Sequence, residues 1–243
     1  MPENTLLAIN SAADLGVDMV EVDVRLTKDG VPILMHNDRV DHTTSGTGLV
    51  TDLTWDELMT LDAGSWRGTE FAGQSVCSLA DVLESTVGRV ALNLDIKDPD
   101  AAELTAVAAA EAGASARVVI SGCTQNCVRR VGSLANGIST LLNLDDLLAE
   151  IDPAETPAAA RQGIDVAVDL GAVAINVPHS LLDANLVEQA RNAGIGVWAF
   201  TIDDKDHFAK LMDTGVDSLT TNWPERMLPL ARERISKDRI NHP

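Results

Sequence analysis

Short apolar, β-branched runs alternate with Ala- and Leu-rich amphipathic stretches along almost the whole chain. That alternation limits the possible fold more than any other feature. The runs at Met19–Leu26, 32–36, 90–97, 117–121, 137–142, 173–177, 196–202 and 218–221 read as strands. They are short and largely apolar, as strands covered on both faces should be. Residues 79–84, 101–112, 181–192 and 205–214 read as helices, with weaker signals at 145–151 and 157–163. A first helix starts almost at Met1, with Asn4 or Thr5 near its cap. The repetition predicts an α/β fold with a parallel sheet and right-handed crossovers. At this length a TIM (β/α)8 barrel is the expected form.

One strand breaks the pattern. Thr27-Lys28-Asp29-Gly30 is too short for a crossover, so 32–36 must run antiparallel to Met19–Leu26. It opens an excursion, 30–78, most of which is irregular and carries Trp55 and Trp66. A long loop over a barrel mouth is more often functional than idle. Seven parallel strands remain, so the reading expects a barrel whose first strand is absent. No compositional break marks a linker, and 1–243 reads as a single domain.

The hairpin also carries chemistry. Glu21 and Asp23 lie two residues apart in a Val-rich strand, on one face and roughly 7 Å from each other. Buried strands rarely hold two carboxylates without a partner. Asp95 and Lys97 repeat the spacing at the end of another strand. Three hard oxygen donors favour Mg²⁺ or Ca²⁺ over zinc, and Lys97 is placed either to hold a phosphoryl oxygen or to pair with Asp95. His36, straight after the hairpin, is a candidate general acid or base. His42 lies in the long loop; His179, His207 and His242 have no comparable placement. Trp198 and Phe200 are expected on opposite faces of their strand, one of them toward the site.

The totals exclude some partners. A net charge of −19 argues against nucleic acid and anionic membranes. No apolar run approaches the ~20 residues that span a bilayer, so no stable membrane insertion is expected. The N-terminus lacks a signal-like core, which makes a cytoplasmic location the expectation. Cys77, Cys123 and Cys127 lack zinc-site spacing and read as structural thiols.

In this order, the motifs resemble those of the glycerophosphodiester phosphodiesterase family. The resemblance rests on Pro2-Glu3-Asn4-Thr5, Glu21-Val22-Asp23-Val24, Thr27-Lys28-Asp29-Gly30, His36, Thr43-Thr44 with Gly46-Thr47-Gly48, Leu94-Asp95-Ile96-Lys97, Phe200-Thr201-Ile202-Asp203 and Thr221-Asn222-Trp223-Pro224. It covers nearly the whole chain. It implies a TIM barrel that hydrolyses glycerophosphodiesters to an alcohol and sn-glycerol 3-phosphate. It further implies a divalent cation on Glu21, Asp23 and Asp95, catalysis by His36, and substrate contacts from Lys97 and Phe200. A non-catalytic phosphodiester- or metal-binding member, or a phospholipase D-like lyase, are the alternative readings. The family pattern has a His-Arg-Gly strand before Pro-Glu-Asn-Thr, whereas this sequence begins at Met1-Pro2. The expectation is therefore a chain slowed ~10²–10⁴-fold by the loss of one acid/base group. Asn37 stands where the family usually has Asp, and Asp95 where it has Glu.

Overall fold

The structure, a computed structural model, describes residues 1–134, 137–148, 151–152 and 155–241. Contacts divide the chain into two compact units, Met1–Ser139 and Thr140–Pro243.

In the first unit, helix α1 (Leu6–Leu15) is the first element, and no strand precedes it among the described residues. Thr5 caps it by accepting from the Ala8 amide. Gly16 closes it in the left-handed region, where a residue without Cβ fits best. Strand β1 (Met19–Leu26) follows, then β2 (Pro32–Leu34), paired antiparallel with Val24 opposite Leu34. The turn between them is tied by Thr27, whose hydroxyl donates to Asp29 and accepts from the Val31 amide. Strand β3 (Ala91–Ile96) lies on the other side of β1, and β4 (Val118–Ser121) beyond it, both parallel. The order in this unit is β2-β1-β3-β4.

The second strand of the hairpin is shorter than expected. It stops at Leu34, and the Met35 amide makes a further bond to the Asp23 carbonyl, 3.0 Å. His36 thus lies in the loop just past the ladder. The excursion is less irregular than its sequence suggests. It holds 3₁₀ turns at Val40–His42, Val50–Asp52 and Thr69–Phe71, and the short helix α2 (Trp55–Leu58) with a full capping box from Thr54 and Glu57. Ile33, Met35, Val40, Val50, Leu58, Ala63 and Val76 pack into a small core of its own. Periodicity fails to reveal such a segment because its apolar residues are spaced by turns rather than by a helix or strand repeat.

The helices of this unit are α3 (Leu79–Ser85), α4 (Ala101–Glu111) and α5 (Gln125–Ser133). Cys123 and Cys127 are joined by a disulfide, which corrects the reading of them as thiols; Cys77 alone is free and buried. Thr124 caps α5 between them, so its first turn brings their Cα atoms to 5.0 Å, within disulfide range.

The second unit carries β5 (Ser139–Asn143), β6 (Ala174–Pro178), β7 (Gly196–Phe200) and β8 (Ser218–Leu219), adjacent in that order and parallel. Its helices are α6 (Asp145–Leu148), α7 (Thr156–Leu170), α8 (Ala184–Asn192), α9 (Lys205–Met212) and α10 (Pro224–Asn241). Helix α7 runs well past the 157–163 signal, and α10 has no counterpart among the expected elements. Positions 149 and 150 of the expected 145–151 helix, and His242, lie outside the described residues. Along β7, Val197 and Ala199 are buried while Gly196, Trp198 and Phe200 are half-buried. Trp198 and Phe200 therefore share a face. The expectation of opposite faces miscounts the strand period, which returns every second residue to the same side.

Candidate metal centre and acid/base site

Register builds the site. Asp23 on β1 is the direct parallel neighbour of Asp95 on β3, and Glu21 of Asn93. Because the side-chain period is two, Glu21, Asp23 and Asp95 share a face. Ligand oxygens of the three lie within 4.8 Å of one another. Three hard carboxylates at that spacing fit a divalent cation, and Mg²⁺ and Ca²⁺ both take such donors.

The electrostatics are those of a crowded anionic centre. Desolvation by the surrounding protein, then the charges of Asp23 and Asp95, push the Glu21 pKa well up, against the pull of Lys97. Glu21 nonetheless keeps an exposed surface, so water offsets part of the desolvation and like-charge repulsion is the firmer cause. Lys97 Nζ bridges the pair, 3.0 Å from Asp23 and 2.6 Å from Asp95. Burial pulls its pKa down, but the two carboxylates outweigh that and hold it above the usual lysine range.

Two further groups fix Asp95. Ser121 Oγ donates to its Oδ1 at 2.9 Å. Gly122 follows in the left-handed region, and a Cβ there would stand 2.5 Å from that same oxygen and from the Ile96 carbonyl. Only glycine lets the β4–α5 corner approach this closely.

Asp23 is held from the N-terminus. Asn4 Nδ2 donates to Asp23 Oδ2 at 2.7 Å, and Asn4 Oδ1 accepts from the Asp23 amide at 3.0 Å. Asn4 takes a positive φ of 54°, which asparagine tolerates better than most residues. Thr5 locks the turn by donating to the Pro2 carbonyl. The Pro2-Glu3-Asn4-Thr5 motif thus both opens α1 and braces β1 at Asp23.

His36 is exposed, and its Nδ1 lies 2.9 Å from Asn37 Oδ1. A donated Nδ1–H leaves Nε2 free for proton exchange. Glu3 has no role in the sequence reading, yet it senses both ends of the site. Burial and Asp23 raise its pKa, while His36 and Arg67 lower it. Arg67, an exposed residue of the excursion, is thereby a cation close enough to act on Glu3 that sequence reasoning missed. Neither Glu3 nor Arg67 has a spacing signal; only the position of Glu3 inside a quoted motif pointed to it. Glu21, Asp23, Asp95, Lys97 and His36 all belong to the first unit. Phe200 ends β7 in the second unit, as the neighbour of Pro178. His42 ends a 3₁₀ turn.

Comparison with known proteins agrees with the geometry. The model of the Glycerophosphoryl diester phosphodiesterase family matches residues 1–226. A glycerophosphodiester phosphodiesterase of Caldanaerobacter subterraneus is 31% identical, over 96% of this chain and 93% of that one. A putative glycerophosphodiester phosphodiesterase of Bacillus subtilis is 30% identical, over 92% and 90%. Among solved structures, an Oleispira antarctica phosphodiesterase in complex with the product sn-glycerol-3-phosphate superposes with a TM-score of 0.80 at 27% identity, covering 95% of this chain and 92% of that one. A glycerophosphodiester phosphodiesterase from Agrobacterium tumefaciens gives 0.77 at 27%, covering 93% of each. The chain has the TIM-barrel-like α/β fold of these structures.

Proposed function

Because the chain belongs to the glycerophosphoryl diester phosphodiesterase family, we propose that this site hydrolyses small glycerophosphodiesters to an alcohol and sn-glycerol 3-phosphate. The observation that carries the reading is the convergence of Glu21, Asp23 and Asp95 within 4.8 Å. Lys97 between two of them and His36 just beyond add to it. The product bound to the Oleispira relative has the matching chemistry.

Glu21, Asp23 and Asp95 would hold a divalent cation, Mg²⁺ or Ca²⁺. Such an ion, when bound, supplies positive charge to the phosphate and makes a bound water more acidic. The rest falls to the chain's own groups. Lys97 exchanges one of its carboxylate contacts for a non-bridging phosphate oxygen and orients the diester. His36, protonated on Nε2 and steered through Nδ1 by Asn37, gives a proton to the departing alcohol oxygen as a water oxygen bonds to phosphorus and the P–O bond to the alcohol breaks; the proton that the water loses passes to solvent. Without that proton an alkoxide would have to leave.

The test is release of sn-glycerol 3-phosphate from glycerophosphocholine, with Mg²⁺ or Ca²⁺ and then with EDTA. Turnover that EDTA abolishes and either ion restores is expected. Turnover indifferent to EDTA, or a cyclic phosphate as the end product, defeats the reading.

A further inference from the structure

Arg25 lies on β1 two residues beyond Asp23, with its side chain only 13% exposed. Its guanidinium uses Nε and Nη2 on a single acceptor, the backbone carbonyl of His36, at 3.0 and 2.9 Å. Nη1 donates to Asp98 Oδ1 at 2.5 Å. The other oxygen of Asp98 accepts the Leu26 amide at 3.2 Å. The fork therefore joins the end of β1, the segment after β3 and the loop that carries His36.

We propose that Arg25, backed by Asp98, is the positioning residue of the hydrolysis: it sets where the His36 ring stands. The inference rests on the reading of His36 as the proton donor. The backbone alone cannot do this work. The β1–β2 ladder ends at Leu34, and Met35 makes the last bond back to β1. One residue further, the His36 carbonyl meets a guanidinium in place of a strand. Beyond it the ring has Asn37 as its hydrogen-bond partner, and the residue is exposed. A proton donor misplaced by 1 Å can cost about 10²-fold in rate. The Asp98 carboxylate also occupies the third side of the guanidinium, so its charge is compensated within the clamp. Lysine cannot replace the planar fork, because a single ammonium does not span the carbonyl and Asp98 in fixed geometry.

The test uses the 1–243 chain carrying R25Q, R25K or D98N, alone and combined with H36A. Glycerophosphocholine is compared with a p-nitrophenyl phosphodiester, whose leaving group needs no proton. R25Q is expected to lower kcat on glycerophosphocholine about 10–100-fold, with KM and divalent-ion affinity by calorimetry unchanged within a factor of about three. R25K rescues little. The loss shrinks on the nitrophenyl substrate, and R25Q adds nothing in the H36A background. Should R25Q not fold, D98N carries the test, with a smaller loss of the same kind. A kcat within a factor of about two of the parent, or an undiminished R25Q loss in the H36A background, overturns the proposal.

If the parent chain hydrolyses neither substrate, the proposed function has failed, and ring NMR still decides the positioning role. The ¹H–¹⁵N signals of the His36 imidazole should shift or broaden in R25Q while those of His179 and His207 stay in place. Unmoved His36 signals overturn the inference independently of activity.

Discussion

Asn4 and Asp23 make two hydrogen bonds to each other, side chain to side chain at 2.7 Å and Asn4 oxygen to Asp23 amide at 3.0 Å. A residue ahead of the first helix thus braces both the Asp23 carboxylate and the backbone of the strand that carries it. N4A removes both bonds and leaves the buried Asp23 carboxylate short of a donor. It should cost about 2–3 kcal/mol, read by denaturant unfolding, and weaken divalent binding about 10-fold. An N4A chain with parental stability and affinity would mean the brace is idle.

Lys97 pairs with both Asp23 and Asp95, at 3.0 and 2.6 Å, and offsets part of their charge. Methionine at this position keeps the length and removes the charge. K97M should therefore be less stable than the parent in EDTA but gain more Tm on adding Ca²⁺ or Mg²⁺. Its kcat/KM should fall, because the diester loses its cationic contact. A smaller metal-induced Tm gain in K97M than in the parent would contradict this account.

The Cys123–Cys127 bridge closes a loop of a few residues beside the Ser121–Gly122 corner that touches Asp95. Thiol titration of the denatured chain should find one reactive thiol, Cys77, before reduction and three after. So small a loop restricts the unfolded chain modestly, and reduction should lower stability by about 2 kcal/mol. Three thiols without reduction would dispose of the bridge.

Asp62 organises the excursion by accepting from the amides of Gly64, Ser65 and Gly73 and from the Ser65 hydroxyl. These bonds, that of Gly73 first, hold its carboxyl well below the usual carboxylate range. Its folded pKa is depressed, so its contribution is present above the ordinary value, about 3.9, and is lost as pH falls through the folded value. Limited proteolysis of the loop around Trp66 should accelerate as pH drops below about 4, and D62N should show the faster cleavage already at neutral pH. Equal cleavage of D62N and parent at pH 7 would remove Asp62 from this role.

Glu21, Asp23 and Asp95 were legible because strands repeat every second residue and because paired carboxylates in apolar runs need a partner. His36 was legible from the length of the Thr27–Gly30 turn. Asn4, Arg25 and Glu3 were not, since each acts on a residue far away in sequence and no local period announces it. Cys123 and Cys127 show the same limit: four residues apart they fit a helix face or a loop, and only the first turn of α5 decides that they meet. The small core of the excursion escaped because its apolar residues follow turns.

Sequence alone determined the alternation of strand and helix, the antiparallel hairpin and the parity that sets Glu21 with Asp23 and Asp95 with Lys97. Tertiary structure decided the register of β1 against β3, with Asp23 beside Asp95. A slip of one residue would turn Asp95 and Lys97 to the opposite face and leave two carboxylates without a third. That register is fixed by packing and by the Lys97–Asp23 and Arg25–Asp98 contacts, which join segments that are distant along the chain and become neighbours only when it folds.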